Sequence, residues 1–276
     1  AVLMTREFCV LGNPIAHSRS PQIHELFAQQ FEHNLCYRRQ LATVDRFSRV
    51  VAGLFRQGLA GANVTVPFKV QAYQLVTRTT AEASFARAVN TLIPQRDGGL
   101  LGANTDGKGL LYDLKRQGVD LSGCKVLLIG AGGAARRVLK NLLDAKPEGI
   151  WIYNRTTANA RALSELSTGV HCVESWSSLA AVDVVINATS ASLFGQLPDV
   201  PERMYRHAEF IYDMVYGAEL TGFLKHVQQV SDARCSDGLG MLVGQAAESY
   251  RLWWGSELPR IEPVIRVLRQ QLVEPS

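Results

Sequence analysis

The segment VLLIGAGGAARR at residues 126–137 constrains the fold more than any other part of the sequence. Its continuous apolar run suits a parallel strand that is buried on both faces. The glycines that follow allow a tight turn and let the backbone approach a pyrophosphate at the N-terminus of the next helix. The sequence therefore predicts a dinucleotide-binding turn, and the alternative is a glycine-rich turn without a ligand. The residues expected to line the cofactor are Gly130, Ala131, Gly132, Gly133 and Ala134.

The end of the next strand indicates which dinucleotide this turn would bind. GIWIYNR (149–155) leads into Asn154, Arg155 and Thr156, and no Asp or Glu is present to hold the ribose hydroxyls of NAD. An arginine can pair with a 2′-phosphate and stack on the adenine, and Thr156 can donate a further hydrogen bond. The sequence therefore favours NADP over NAD, although Arg155 is alternatively an ordinary solvated loop residue.

Strand and helix patterns alternate along the whole chain, which predicts an α/β fold. The pattern resets at Ser122-Gly123, and a βαβ series of the doubly wound kind follows. The predicted strands are 6–12, 61–66, 126–130, 149–155, 183–190 and 209–216. The first predicted helix has Ser20 as N-cap and Pro21 at its first position. Another helix opens at the glycine turn in GAGGAARRVLKNLL, and further helices are predicted over about 44–57, 69–77, 157–167, 238–255 and 257–274.

Composition excludes several classes of protein. The chain has 276 residues, 47% of them hydrophobic and 20% charged, which is ordinary for a soluble globular enzyme. A net charge of +4 without a basic run does not indicate a nucleic-acid partner, and no segment approaches the roughly 18–20 apolar residues that span a bilayer. The five cysteines are scattered and the histidines lack metal-ligand spacing. We therefore expect a cytoplasmic protein with free thiols, no metal and no membrane partner.

Short polar segments follow apolar runs in the N-terminal part of the chain. GANVTVPFK places Lys69 just beyond a strand end that Pro67 marks, and GANTDGKG contains Asp106. A lysine and an aspartate without a phosphate or metal motif suit proton transfer to a hydroxyl oxygen. Hydroxyls and backbone N–H groups at 18–20 can hold a carboxylate, and Asn90 in AVNT adds a polar group. Taken singly, each of these residues is alternatively an ordinary turn or cap residue.

The order of the motifs resembles the shikimate dehydrogenase family from about residue 7 to residue 270. The motifs are GNPIAHSRSPQIH, GANVTVPFK, AVNTL, GANTDGKG, VLLIGAGGAARR, NRT, INATS, YDMVY and DGLGMLVGQAA. The resemblance implies two α/β domains with a cleft between them. These would be a substrate domain at 1–106 plus 238–276 and a Rossmann-like NADP domain at 107–237. It also implies reversible hydride transfer between NADPH and 3-dehydroshikimate, a step of aromatic amino-acid biosynthesis.

The resemblance also assigns roles to individual residues. Lys69 would deliver a proton to the substrate carbonyl oxygen, and Asp106 would hydrogen-bond to the substrate and keep the lysine oriented. The expected substrate-binding residues are Ser18 and Ser20 at the carboxylate, Tyr216 near it, and Thr65, Asn90 and Gln245 at the ring hydroxyls. The further residues expected at the cofactor are Thr189, Met214 and Gly238.

Several positions depart from the family pattern and leave alternatives open. The departures are Ala81, Arg87, Ser192 and Gly222. One alternative is a paralogue that oxidises quinate or a related acid, although serines at both 18 and 20 favour shikimate. Another is a non-catalytic NADP or metabolite sensor, against which the presence of both Lys69 and Asp106 argues. We expect a small-molecule substrate and a monomer or homodimer.

Overall fold

Two six-stranded sheets carry the fold over residues 4–274, the part of the chain that the computed structural model describes. The strands are β1 (Arg6–Gly12), β2 (Leu35–Leu41), β3 (Gly61–Val64), β4 (Arg78–Thr79), β5 (Thr91–Pro94), β6 (Leu100–Ala103), β7 (Lys125–Ile129), β8 (Gly149–Tyr153), β9 (Val170–Cys172), β10 (Val184–Asn187), β11 (Phe210–Asp213) and β12 (Arg234–Ser236). The helices are α1 (Ser20–Phe31), α2 (Phe47–Arg56), α3 (Lys69–Leu75), α4 (Ala81–Ala86), α5 (Asp106–Arg116), α6 (Gly133–Asp144), α7 (Thr157–Ser164), α8 (Glu202–His207), α9 (Gly222–Val230), α10 (Leu239–Trp254) and α11 (Glu262–Val273). The predicted α/β class is confirmed.

The first compact unit consists of residues up to Gly109 together with Val243–Val264. Its sheet has the order β2-β1-β3-β5-β6-β4, in which β1 pairs in parallel with β2 and β3. Strand β5 is antiparallel to both of its neighbours, so it begins at the edge of the sheet where β3 and β6 end. Phe47 of α2 stacks on Phe68 at 4.5 Å in the core below this edge. The polar residues at that edge therefore lie next to a closely packed hydrophobic core.

The second compact unit consists of Leu110–Leu242 and the residues from Ile265 onward. Its sheet has the order β12-β11-β10-β7-β8-β9, and all of these pairings are parallel. The apolar runs of β7 and β10 are buried throughout or nearly so, as expected for strands covered on both faces. The chain leaves β7 on one side and returns beside it as β10, which is the switch point where a doubly wound sheet binds its ligand.

The two units and the predicted domain boundaries differ at the C-terminal end. The prediction places all of 238–276 in the substrate domain, whereas the second unit takes the residues from Ile265 onward. Within that unit, the Arg269 guanidinium of α11 contacts the Asp237 carboxylate through two bonds of 2.6 and 2.7 Å. The boundaries of the functional domains stay a prediction.

The start of α1 differs from its prediction in a way that matters for the site. Ser20 is not the N-cap: the helix begins at Ser20, and Arg19 precedes it without a capping side-chain bond. The side-chain oxygen at this end comes from Ser18, whose Oγ accepts a hydrogen bond from the Ser20 N–H at 3.3 Å. The predicted cap is therefore wrong by one residue: Arg19 is the N-cap, and the hydroxyl that accepts from the first helical N–H belongs to Ser18.

Candidate active site

An ammonium and a carboxylate are in contact at the polar edge of the first sheet. Lys69 is the first residue of α3, and Asp106 is the first residue of α5. Lys69 Nζ donates to Asp106 Oδ2 at 3.0 Å, and Asp106 is 7% exposed. The turn before Lys69 is fixed because the Phe68 N–H donates to the Thr65 carbonyl and the Phe68 ring is fully buried. The backbone before Lys69 is thus fixed by a hydrogen-bonded turn and by a buried aromatic ring.

Asn90 orients the other oxygen of the Asp106 carboxylate. Its Nδ2 lies 3.1 Å from Asp106 Oδ1, 2.9 Å from Thr105 Oγ1 and 3.4 Å from Gln245 Oε1. Its Oδ1 accepts a bond from the Thr105 N–H at 3.0 Å. Four of the predicted site residues, Lys69, Asn90, Asp106 and Gln245, are therefore brought together.

Polar residues that the sequence analysis missed support this cluster from below. Asn63, Thr91 and Ser249 are all buried, and Asn63 Nδ2 lies 3.3 Å from Thr91 Oγ1 and 3.2 Å from Ser249 Oγ. Thr91 Oγ1 in turn donates to Asn90 Oδ1 at 2.8 Å. Buried polar side chains need hydrogen-bond partners. An asparagine inside the buried strand GANV was therefore a signal that such a network exists.

Of the predicted carboxylate-binding serines, Ser18 lies in the loop between β1 and α1, and Ser20 is the first residue of α1. Ser18 and Ser20 are half-buried, and the Arg39 guanidinium donates to the Ser18 carbonyl at 2.6 and 3.1 Å. Thr65 follows the neighbouring strand β3, and a Cβ at Gly12 would stand 2.5 Å from Thr65 Cγ2. The glycine therefore permits the close approach of the two strand ends that carry these hydroxyls.

The predicted dinucleotide turn has the geometry that its glycines require. Gly130 has φ +112°, a conformation that favours glycine, and its N–H donates to the Tyr153 carbonyl at 2.8 Å. Gly132 is the N-cap of α6, no side chain caps that helix, and a Cβ at Gly132 would meet no atom within 4 Å. An open helix N-terminus of this kind suits a pyrophosphate. Thr189 borders the turn, since its Cγ2 would be 3.1 Å from a Cβ at Gly130.

The loop after β8 presents a cation and no acidic residue. Arg155 is exposed, and Asn154 Nδ2 donates to the Thr156 carbonyl at 3.0 Å, which shapes the loop around it. Thr156 is the N-cap of α7, whose first turn contains no acidic residue. The donor set of this loop and of the glycine turn fits NADP, because it offers a guanidinium for the 2′-phosphate and backbone N–H groups for the pyrophosphate.

Met214 and Gly238 lie against each other in the second unit. A Cβ at Gly238 would stand 2.2 Å from the Met214 carbonyl oxygen, so only glycine permits this contact. The Met214 N–H donates to the Asn187 carbonyl at 3.0 Å and ties the segment to β10. Tyr216 is half-buried two residues later, in the second unit, whereas the other predicted substrate-binding residues belong to the first.

The four departures from the family pattern fall in two places, α4 with its C-cap and the contact of Ser192 with Gly222. Arg87 is exposed and is the C-cap of α4 with φ +52°, a left-handed conformation that favours glycine. Ser192 lies in the short 3₁₀ turn Ala191–Phe194, and its buried Oγ has no hydrogen-bond partner among the described residues. A Cβ at Gly222 would be 3.4 Å from the Ser192 Cβ, so two of the departures are neighbours. Ala81 is the first residue of α4 and is exposed.

Cysteines and metal ligands add no further site. All five cysteines are free thiols, and burial raises the pKa of Cys9 to about 12. Over residues 4–274, no three His, Cys, Asp or Glu side chains are grouped so that they could hold a metal ion. None of the helices in this same part of the chain combines the length and apolar character needed to cross a membrane.

Comparison with known proteins gives matches along almost the whole chain. Three family models match, described as the shikimate dehydrogenase substrate binding domain (residues 10–92), shikimate / quinate 5-dehydrogenase (113–209) and the shikimate 5′-dehydrogenase C-terminal domain (238–269). The chain is 48% identical over 269 residues to a shikimate dehydrogenase (NADP(+)) of Vibrio cholerae, with 96% of each chain covered. It is 45% identical over 275 residues to the protein of the same name from Cellvibrio japonicus, covering 98% of this chain and 99% of that one.

Solved structures also resemble the chain over almost its whole length. The crystal structure of an Ael1 enzyme from Pseudomonas putida has a TM-score of 0.91 at 38% identity, covering 98% of this chain and 99% of that one. The shikimate 5-dehydrogenase of Thermus thermophilus, in complex with NADP(H) and shikimate, has a TM-score of 0.84 at 32% identity. That match covers 97% of this chain and all of the other.

Proposed function

Since this chain belongs to the shikimate dehydrogenase family, we propose that it is the NADP-dependent enzyme that interconverts 3-dehydroshikimate and shikimate. The observation that carries the proposal is the contact of Lys69 Nζ with Asp106 Oδ2 at 3.0 Å, beside Asn90 and Gln245. The names of the curated relatives and the ligands of the Thermus thermophilus structure support it. The reaction would serve the biosynthesis of aromatic amino acids.

Lys69 is the proton donor in the reducing direction. When bound, the cofactor supplies the hydride that adds to the carbonyl carbon. The carbon–oxygen π electrons then move to oxygen, and this oxygen takes a proton from the Lys69 ammonium. In the oxidising direction, the neutral amine of Lys69 accepts the hydroxyl proton. Solvent restores the protonation state of the lysine after each turnover.

Asp106 holds the lysine and contacts the substrate. One carboxylate oxygen binds Lys69 Nζ and the other binds Asn90 Nδ2, so the carboxylate cannot rotate without losing a bond. Its remaining acceptor positions can take a substrate hydroxyl hydrogen. Holding the donor and the reacting oxygen together removes much of the entropic cost of reaching the transition state.

The remaining contacts follow the expected roles. Ser18 and Ser20 bind the substrate carboxylate together with Tyr216, and Thr65, Asn90 and Gln245 bind the ring hydroxyls. Gly130 to Ala134 hold the pyrophosphate, and Asn154, Arg155 and Thr156 hold the adenosine end with its 2′-phosphate. Thr189, Met214 and Gly238 border the nicotinamide end. The open turn at Gly132 and the exposed Arg155 support this orientation.

We further propose a cytoplasmic enzyme that acts on small molecules as a monomer or homodimer, without a nucleic-acid or membrane partner. The free thiols and the modest net charge of +4 support these assignments. Quinate is the second candidate substrate, because the matching family model is described for both shikimate and quinate dehydrogenases.

Initial rates with the purified protein test the proposal, with shikimate and quinate each tried with NADP⁺ and with NAD⁺. We expect kcat/KM for shikimate with NADP⁺ to exceed the other three by about tenfold or more, equivalent to about 1.4 kcal/mol of transition-state preference. Comparable rates with quinate would favour the second candidate. No turnover with any pair would contradict the proposal and favour a sensor.

Two variants test the roles of Lys69 and Arg155 separately. Lys69→Met removes the ammonium group and leaves an unbranched side chain one atom shorter, so kcat should fall by about 10²–10⁴. Arg155→Gln removes the guanidinium, so KM for NADP⁺ should rise while KM for NAD⁺ stays unchanged. Turnover by Lys69→Met close to that of the wild type would rule out this lysine as the donor.

A further inference from the structure

A continuous chain of buried hydrogen bonds leads from the Lys69–Asp106 pair to Tyr37 in β2. Tyr37 is 5% exposed, and its hydroxyl donates to Asn63 Oδ1 at 2.6 Å. Tyr37 therefore extends the network beneath the catalytic pair into β2.

The Asn63 amide links Tyr37 to the residues around Asn90. Because Asn63 Oδ1 accepts from Tyr37, Nδ2 presents its hydrogens to the Asn90 carbonyl at 3.2 Å, Ser249 Oγ at 3.2 Å and Thr91 Oγ1 at 3.3 Å. Thr91 Oγ1 then uses its own hydrogen toward Asn90 Oδ1 at 2.8 Å. This bond leaves Asn90 Nδ2 facing Asp106 Oδ1 at 3.1 Å.

The ring of Tyr37 is fixed as well as its hydroxyl. It stacks on the His24 imidazole with ring centroids 4.7 Å apart and an interplanar angle of 7°. His24 is fully buried, and this burial lowers its pKa to about 3, so the imidazole is neutral at physiological pH.

We propose that Tyr37 is a positioning residue: its hydroxyl fixes the amide of Asn63 and thereby, through Thr91 and Asn90, the carboxylate of Asp106 beside Lys69. This inference rests on the proposed dehydrogenase function for its kinetic consequence. Without the Tyr37 hydroxyl, Asn63 Oδ1 loses its donor, and only the bonds of Nδ2 to the Asn90 carbonyl, Thr91 Oγ1 and Ser249 Oγ hold the amide. The Thr91 hydroxyl, which supplies one of the two hydrogen bonds that Asn90 Oδ1 accepts, is then less firmly placed.

Tyr37→Phe tests the proposal because it removes one oxygen and keeps the ring that stacks on His24. We expect kcat for shikimate oxidation to fall about tenfold, with KM for NADP⁺ unchanged. Tyr250→Phe is the matched control: Tyr250 is also fully buried in the first unit, and its hydroxyl bonds His33 Nδ1, outside the network. The control should lose a similar amount of stability and keep its kcat. Equal kcat values for the wild type and Tyr37→Phe would overturn the proposal.

A second variant tests the route from Tyr37 to Asp106. Thr91→Val is isosteric and interrupts the chain of bonds between Asn63 and Asn90, so it should lower kcat as Tyr37→Phe does. If both act through one route, the double variant should be no slower than the slower single variant. Additive losses, or a Thr91→Val protein with wild-type kcat, would overturn the proposal even if Tyr37→Phe does not fold.

The side-chain amide resonances of Asn63 and Asn90 provide a readout that needs no turnover. In the wild type, both NH₂ groups should be protected from exchange, and Tyr37→Phe should shift and deprotect both of them. Tyr250→Phe should leave them unchanged. If the wild type turns over no substrate, the dehydrogenase function fails, whereas amide signals that are unaffected by Tyr37→Phe would refute the positioning role by itself.

Discussion

His24 connects the stability of the fold to pH through a single side chain. It lies in α1 among Tyr37, Phe27 and Trp253, at ring distances of 4.7, 5.8 and 5.2 Å. Burial lowers its pKa from 6.5 to about 3. As the pH falls below about 6.5, the unfolded chain therefore binds a proton that the folded chain does not, and folding becomes less favourable by up to about 1.4 kcal/mol per pH unit until about pH 3.

We expect His24→Phe to remove this part of the pH dependence. Between pH 7 and pH 5 the wild type should lose about 2 kcal/mol of unfolding free energy through His24, and the variant should lose that much less. Urea unfolding at the two pH values measures the difference. His17→Phe is the control, because His17 is exposed and should leave the dependence as in the wild type. Parallel curves for the wild type and His24→Phe would contradict the prediction.

The site could be predicted from the sequence only where a residue carries chemistry of its own. Lys69, Asp106 and Asn90 are visible at the ends of apolar runs, and they do converge in the structure. Thr91 and Ser249 are ordinary residues in sequence, and their importance comes from burial beside Asn63. The pairing of residues 63 and 249 is set by tertiary structure, which no local pattern contains.

Two helices illustrate how the same residue type can have opposite effects on stability. Gly240 in α10 faces Asp113 of α5, and a Cβ there would stand 2.0 Å from Asp113 Oδ1. Asp113 cannot move away easily, because it is fully buried and accepts hydrogen bonds from Tyr212 Oη at 2.6 Å and Arg116 Nε at 2.8 Å. Gly53 in α2, in contrast, has no atom within 4 Å of its would-be Cβ.

We therefore expect Gly240→Ala and Gly53→Ala to change the unfolding free energy in opposite directions. Gly240→Ala should destabilise by about 1–3 kcal/mol, since the added methyl overpacks the contact with Asp113. Gly53→Ala should stabilise by about 0.5–1 kcal/mol, because alanine loses less backbone entropy in a helix. Chemical denaturation of both variants gives the two values. A Gly240→Ala protein that is more stable than the wild type would contradict the prediction, because it would mean that Asp113 moves away from the added methyl group at little cost.

The predictability of an element depended on how completely it is buried. Strands β7, β8, β10 and β11 are buried apolar runs and were predicted within a few residues. Strand β2 was missed because only Tyr37 among its seven residues is buried, so no alternation is visible. Strand β5 was missed because four residues give too short a pattern. Its antiparallel direction nevertheless brings Asn90 to the site.

The first unit is built from two segments that are distant in sequence. Trp253 of α10 donates through Nε1 to the Leu92 carbonyl at 3.1 Å and packs on Phe8 with ring centroids 4.7 Å apart. A Cβ at Gly61 would lie 2.4 Å from Trp253 Nε1, so the indole covers β3 directly. The family resemblance predicts that the C-terminal part of the chain belongs to the first domain. It does not predict that the chain passes into the second unit at Ile265, because that depends on tertiary contacts that a linear pattern does not contain.

We expect residues 4–109 alone not to fold, because Trp253 and Ser249 would be missing from their core and network. A chain that joins 243–264 to 4–109 through a flexible linker should regain a cooperative transition. Near-ultraviolet circular dichroism during thermal unfolding distinguishes the two chains. A cooperative transition for 4–109 alone would mean that the second segment adds stability without being required.

This division of the first unit has a consequence for synthesis. The ribosome makes residues 1–109 and then 133 more residues (242 − 109) before the segment Val243–Val264 begins to appear. At about 5–20 residues per second, the opening segment waits roughly 7 to 27 s for the indole that covers β3. During that interval, apolar surface around Phe8 and Gly61 is uncovered on the nascent chain. The segment that carries Lys69 and Asp106 therefore stays incompletely covered for longer than a contiguous domain of its size would.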